Sequence, residues 1–178
     1  MTETATLAGG CFWCTEAIYK RIKGVISVES GFAGGTRENP SYQQVITDAT
    51  GHAETIQIIF DPSLISYESI LEIFWHMHDP TTLNQQGADR GTHYRSVIFY
   101  HNERQHHAAE KSKQMIEKNG VYKDPIVTEI LPFKAFYKAE DYHQDYYEQN
   151  KDKNMYCQIV IDPKIQKLIK EFKEQLKT

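Results

Sequence analysis

The apolar residues of this chain keep switching between a spacing of two and a spacing of 3.6, and that switching limits its fold more than any other feature. Alternation with β-branched residues predicts strands at 4–8, 25–32 ("VISVESGF"), 54–60 ("ETIQIIF"), 95–100 ("RSVIFY") and 126–131 ("IVTEIL"). Helical spacing lies between them: "CTEAIYKRIKG" stops at Gly24, "SYESILEIFWHMHD" opens on Ser66 as a cap, and "NERQHHAAEKSKQMIEKNG" stops at Asn119-Gly120. The order β-α-β-β-α-β-α-β predicts an α/β (α+β) two-layer sandwich. Its sheet should be mixed, because 25–32 and 54–60 follow one another without a helix between them. From 140 onward "EDYHQDYYEQNKDKN" has helical character, "MYCQIVIDP" reads as irregular or extended, and "PKIQKLIKEFKEQLK" reads as a last amphipathic helix with Pro163 in its first turn. Two long turn-rich stretches, 33–52 and 79–94, interrupt the pattern, and long loops in compact domains are often where function sits.

At 178 residues and 40% hydrophobic content, a single catalytic domain spanning 1–178 is expected. The formal charge of −4 is spread among interleaved acids and bases, which argues against nucleic acid or an anionic membrane as a partner. No run of about 18 apolar residues occurs, and "MTETATLAGG" lacks the charged start and apolar stretch of a signal peptide, so a cytoplasmic protein is expected. A monomer is the expected state. Three cysteines are too few and too oddly numbered for a disulfide scaffold, which favours transient redox or metal chemistry over structural bridging.

Two of those cysteines, Cys11 and Cys14, bracket Phe12-Trp13 directly after Gly9-Gly10. A strand end, two glycines and a helix start coincide there. The Cys11 sulfur should therefore lie near unsatisfied backbone N–H groups and the positive end of a helix dipole, an environment that lowers a thiol pKa and makes a nucleophile. Against this stands the ordinary role of cysteine as a small buried apolar residue. A zinc site would need Cys157 and one of eight histidines as well, without the second paired-cysteine knuckle of usual zinc modules, so no metal is expected. A thioredoxin-like thiol-disulfide oxidoreductase is the stronger alternative, since Cys-x-x-Cys at a helix start is its signature. Phe-Trp between the cysteines and only one short strand before them count against it.

A thiolate acting on a polar acceptor needs a proton source and hydrogen-bond donors for the displaced oxygen. Glu54 in "TGHAET" stands at the mouth of a strand beside Ala53 and Ile56, where partial burial would keep it protonated near neutral pH. An exposed strand-end glutamate fits the same pattern equally well. Tyr42 in "NPSY" and Tyr94 in "GTHYRS" are phenols in the two long loops, each able to donate one hydrogen bond. Asp89 in "QQGADRGTHY" can orient such a network or bind a substrate amide, or simply serve a turn. Phe12 and Trp13 offer an aromatic wall suited to a methyl group, with core packing as the alternative.

Taken together, "GGCFWCTEA", "SGFAGG" followed by "NPSYQQV", "TGHAETI", "HDPTTLNQQGADRGTHYRS" and "AEDYHQDYY" resemble the A-type peptide methionine sulfoxide reductases, in the right order from about residue 5 to 165. The resemblance implies a ferredoxin-like core and thiol-dependent reduction of methionine S-sulfoxide, as free amino acid or in proteins. It implies Cys11 as the nucleophile, Glu54 as the acid, Tyr42 and Tyr94 as holders of the oxygen, and Asp89 as a positioner. Phe12 and Trp13 would enclose the methyl group. No metal or organic cofactor is implied, only an external dithiol, thioredoxin. "NMYC" places Cys157 where the family carries its common resolving cysteine, while Cys14 stands where many relatives carry glycine. Cys157 is the expected first resolver, with Cys14 as relay or alternative. A non-enzymatic sulfoxide- or peptide-binding module remains a third reading, compatible with the long loops.

Overall fold

A computed structural model describes residues 1–178. Six strands form one sheet: β1 (Glu3–Gly9), β2 (Val25–Ala33), β3 (Ala53–Phe60), β6 (Ser96–Tyr100), β7 (Glu129–Pro132) and β8 (Phe136–Lys138), in the order β7-β6-β1-β3-β2-β8. Two short strands, β4 (Gln85–Gln86) and β5 (Asp89–Arg90), pair separately as a hairpin. The central four strands have the antiparallel order of a ferredoxin-like core, built from two β-α-β crossovers that each skip one strand. β7 adds in parallel beside β6, so the sheet is mixed as the alternation implied. The expected α/β class, the two-layer arrangement and the ferredoxin-like core are all present.

The helices are α1 (Phe12–Tyr19), α2 (Tyr42–Val45), α3 (Tyr67–Met77), α4 (Glu103–Lys118), α5 (Tyr146–Asn150) and α6 (Asp162–Glu171). Ser66 and Asn102 cap α3 and α4 through side-chain oxygens, as their residue types favour. Period-two alternation sends Leu7, Ile56, Ile58, Phe60 and Ile98 to the helical side, where they join α1, α3, α4 and α6 in the main core. The opposite face holds a smaller cluster of Ala8, Ala33, Ala53, Val97 and Phe99.

Three local expectations are corrected. The strand expected at 126–131 begins only at Glu129, because the Val127 N–H is taken by the carbonyl of Pro80. The helical stretch from 140 is broken at Asp145, which adopts φ +56°, leaving a 3-10 turn at Asp141–His143 and the short α5. "MYCQIVIDP" is neither irregular nor extended. Residues Cys157–Ile161 form a π-helical turn that runs into α6, which ends at Glu171, short of the stretch expected to 177. Pro163 has no N–H to return to Ile159, and the wider hydrogen-bond step accommodates that loss.

Candidate active site

Antiparallel pairing decides where the site lies. With Leu7 opposite Ile56 and Gly9 opposite Ser96, the end of β1 lies beside the starts of β3 and β6; Phe32 opposite Glu54 brings the end of β2 to the same edge. All the loops that carry candidate residues therefore open on one rim. Gly10 turns the chain there with φ +92°, and a Cβ on it would stand 2.6 Å from Cγ of Gln86, so only glycine fits. Cys11 follows as the N-cap of α1, 5% exposed.

The thiol chemistry differs from the sequence expectation. Cys11 occupies the helix start, but its side chain makes no capping hydrogen bond, and the Phe12 N–H donates to Oε1 of Glu54 at 3.2 Å. Burial drives the Cys11 thiol well above its ordinary value, and the neighbouring Cys14 and Glu54 raise it further. The depressed thiol is Cys14, lowered to about 7 first by its hydrogen bond with Cys11, against burial, with Lys164 and Tyr156 adding to the lowering. Tyr156 Oη lies 3.8 Å from Cys14 Sγ and donates to Asp89 Oδ2 at 2.6 Å. Asp89 thus stands at the thiol pair through a phenol that the sequence alone did not single out.

Glu54 is 2% exposed on the helical side of β3. Burial pushes its pKa up to about 8; the Phe12 N–H works against that rise, while Asp89 and Cys14 reinforce it. Its Oε2 is buried without a hydrogen-bond partner. Burial, with Glu54 and Cys11 nearby, raises the phenols of both Tyr42 and Tyr94, so both remain hydrogen-bond donors throughout the neutral range. The rim therefore gathers a buried acid, two phenols and a thiol pair.

The aromatic residues divide between two roles. Phe12 belongs to the main core, packed against Phe32 with centroids 5.7 Å apart, and also reaches Tyr42 at 6.2 Å. Trp13 is partly buried, stacked on Tyr146 at 3.7 Å with an interplanar angle of 6°, and its Nε1 donates to Nδ1 of His143 at 3.0 Å. Burial lowers the His143 pKa, which keeps that nitrogen a free acceptor. His143 and Tyr146 escaped the sequence reading although both lie in the quoted "AEDYHQDYY". The buried Glu16 was also missed: it accepts from Ser30 Oγ at 2.5 Å and from the Asp145 N–H, tying this aromatic segment to α1.

All three cysteines are unpaired and buried, and they pack with Ala17, Ile161 and Ile165 in one small cluster apart from the main core. Burial raises the Cys157 thiol, and the sulfur that adds to this rise is Cys14 rather than Cys11. Among the expected site residues, Cys11, Cys14, Glu54, Tyr42, Tyr94, Asp89, Phe12 and Trp13 converge on the rim. Cys157 joins the same cluster from the π-helical turn.

The chain is 58% identical over 175 residues to the peptide methionine sulfoxide reductase MsrA of Saccharolobus solfataricus, an alignment covering 98% of this chain and 97% of that one. Among solved structures, reduced Mxr1 of Saccharomyces cerevisiae superposes with a TM-score of 0.79 at 35% identity, covering 86% of this chain and 88% of Mxr1. The same yeast protein in complex with Trx2 gives a TM-score of 0.57 at 29% identity, covering 82% of this chain and 84% of that one. The family described as "Peptide methionine sulfoxide reductase" matches residues 3–177, and with that match over nearly the whole chain, the protein belongs to the peptide methionine sulfoxide reductase family.

Proposed function

We propose that the chain reduces methionine S-sulfoxide, free or in proteins, with Cys11 as nucleophile and Glu54 as acid. The observation that carries this reading is the hydrogen bond from the Phe12 N–H to Glu54, which fastens a buried, protonated carboxyl one residue from a buried thiol. The Cys11 S–H passes its proton to the Cys14 thiolate as its sulfur attacks the sulfoxide sulfur. Glu54 gives its proton to the sulfoxide oxygen, which Tyr42 and Tyr94 hold. Methionine leaves and Cys11 becomes a sulfenic acid. Phe12 and Trp13 face the methyl group, and Asp89 fixes the rim through Tyr156.

A second thiol then displaces hydroxide from Cys11. Glu54, now a carboxylate, takes that thiol's proton and passes it to the departing oxygen, so water leaves and a disulfide remains. The Cys11–Cys14 contact supports Cys14 as first resolver and Cys157 as second, the reverse of the Cys157-first order expected from the motif. An external dithiol of the thioredoxin type closes the cycle, a partner supported by the Trx2 complex of the yeast relative. No metal or organic cofactor enters these steps. The setting proposed is a cytoplasmic monomer of one catalytic domain, without nucleic-acid or membrane partners; the charge of −4 and the lack of any helix long and apolar enough to cross a membrane support it.

The test is turnover of each diastereomer of a methionine sulfoxide with dithiothreitol. Reduction confined to the S form, abolished in Cys11→Ser, is the expected result. Insulin reduction without sulfoxide turnover would point to a thioredoxin-like activity, and binding without dithiol consumption to a non-enzymatic module. Mass mapping of the disulfide after one turnover decides the resolver: in Cys14→Ser the Cys11 sulfenic acid should persist, whereas a Cys11–Cys157 bond there would make Cys157 the first resolver.

A further inference from the structure

His93 has no assigned part in the chemistry, yet it is 4% exposed and its ring lies between a surface carboxylate and the buried acid. Its Nδ1 is 2.7 Å from Oδ1 of Asp48, and the same oxygen accepts from the His93 N–H at 3.1 Å and from Thr92 Oγ1 at 2.9 Å. Asp48 takes φ +63° to present that oxygen, and Gly91 leaves the room: a Cβ there would stand 2.7 Å from Cε1 of His93 and 2.9 Å from Oδ2 of Asp48. The far nitrogen, Nε2, points at Oε2 of Glu54 across 3.7 Å. That oxygen is the one with no hydrogen-bond partner.

We infer that His93, its tautomer fixed by Asp48, is a positioning residue that keeps the proton on Glu54 in the substrate-free site by accepting the Glu54 O–H at Nε2, and releases it when that O–H turns to the sulfoxide oxygen. The inference rests on the assignment of Glu54 as the acid. Asp48 Oδ1 accepts from Nδ1, and the tautomer so fixed carries its lone pair at Nε2. A lone pair there is satisfied by a protonated carboxyl and repelled by an ionised one. Nε2 and Oε2 stand 3.7 Å apart, one small side-chain movement from a hydrogen bond, and such contacts are commonly loose in substrate-free sites. The other titratable groups facing Glu54 are Cys11 and Cys14 from α1, Asp89 from the β4–β5 hairpin, Tyr42 from α2 and Tyr94 from the turn before β6. Among these, Cys11 attacks more readily at higher pH, so a rate that falls on the alkaline side reports the acid.

The experiment is single-turnover formation of methionine, without recycling reductant, followed from pH 5.5 to 9.5 in the parent and in Glu54→Gln, His93→Phe, His93→Gln and Asp48→Asn. His93→Phe should move the alkaline limb down by about one pH unit, lowering the rate by about fivefold at pH 8 and about tenfold at pH 9 while leaving pH 6 within about twofold. Asp48→Asn, at a partly exposed position, should shift the limb in the same direction by less, and His93→Gln, whose amide oxygen can still accept, by least. If His93→Phe is too unstable to assay, Asp48→Asn carries the decision. An unmoved limb, or one displaced upward as loss of an imidazolium would produce, overturns the inference. Retention of the limb in Glu54→Gln would instead remove Glu54 as the acid, which is a separate failure.

Discussion

Glu54 shows at the residue scale how function is held against stability. Its folded pKa of about 8 lies above the ordinary 4.5, so between those values the folded chain keeps a proton that the unfolded chain releases. Stability contributed at this position is therefore intact at acid pH and falls as pH rises from 4.5 towards 8. Glu54→Gln removes the titration and should stabilise the protein by about 3 kcal/mol at pH 7, with no gain near pH 4. Thermal melts of both proteins at the two pH values check this, alongside a chemical step slowed by about a hundredfold or more. Position 54 was half legible: the strand and its alternation assign a face, but an exposed strand-end glutamate fits the same residues, and only the packed fold buries it. The thiol pKa values were not legible. They depend on Tyr156, Lys164 and Asp89, which lie 78 to 153 residues from Cys11 in sequence and reach the pair only through the fold.

The elements act by delivering chain ends to the rim, and their weak points are the turns. Gly10→Ala meets both a left-handed backbone and the Gln86 side chain, which holds the Asp79 N–H at 2.8 Å and the Asp79 carbonyl at 3.0 Å. A loss of about 1–3 kcal/mol in denaturant unfolding is expected, with lower activity because Cys11 follows directly. Glu16→Ala frees the Asp145 N–H and Ser30 Oγ, which should cost about 1–3 kcal/mol and raise KM for the sulfoxide as Trp13 loses its support from His143 and Tyr146. Strands and long helices were readable from periodicity, since burying one face of each is what the pattern encodes. The π-helical turn was not readable: "QIVI" carries β-branched residues that suit a strand, and only packing of Cys157 and Ile161 against α1 overrides them. β8 escaped because three residues are too few to show a period.

The whole molecule keeps its thiols sealed when reduced, so an external dithiol can reach a disulfide only if part of the fold opens. The segment to open is 145–161, which covers the cysteine cluster with the five-residue α5, a turn and the π-helical turn, each too short to hold on its own. Hydrogen exchange should be faster across 145–161 in the disulfide form than in the reduced form, with β1, β3 and α3 unchanged; equal exchange in both forms would place reductant access elsewhere. The sulfur cluster is also set apart from the 29-residue main core, whose only sulfur belongs to Met77. A strong oxidant that carries Cys11 past sulfenic acid will therefore extinguish activity without melting the protein. A preparation exposed to such an oxidant would hold folded but permanently dead molecules that circular dichroism counts as good, and titration of free thiols after full reduction by a dithiol would give the working fraction.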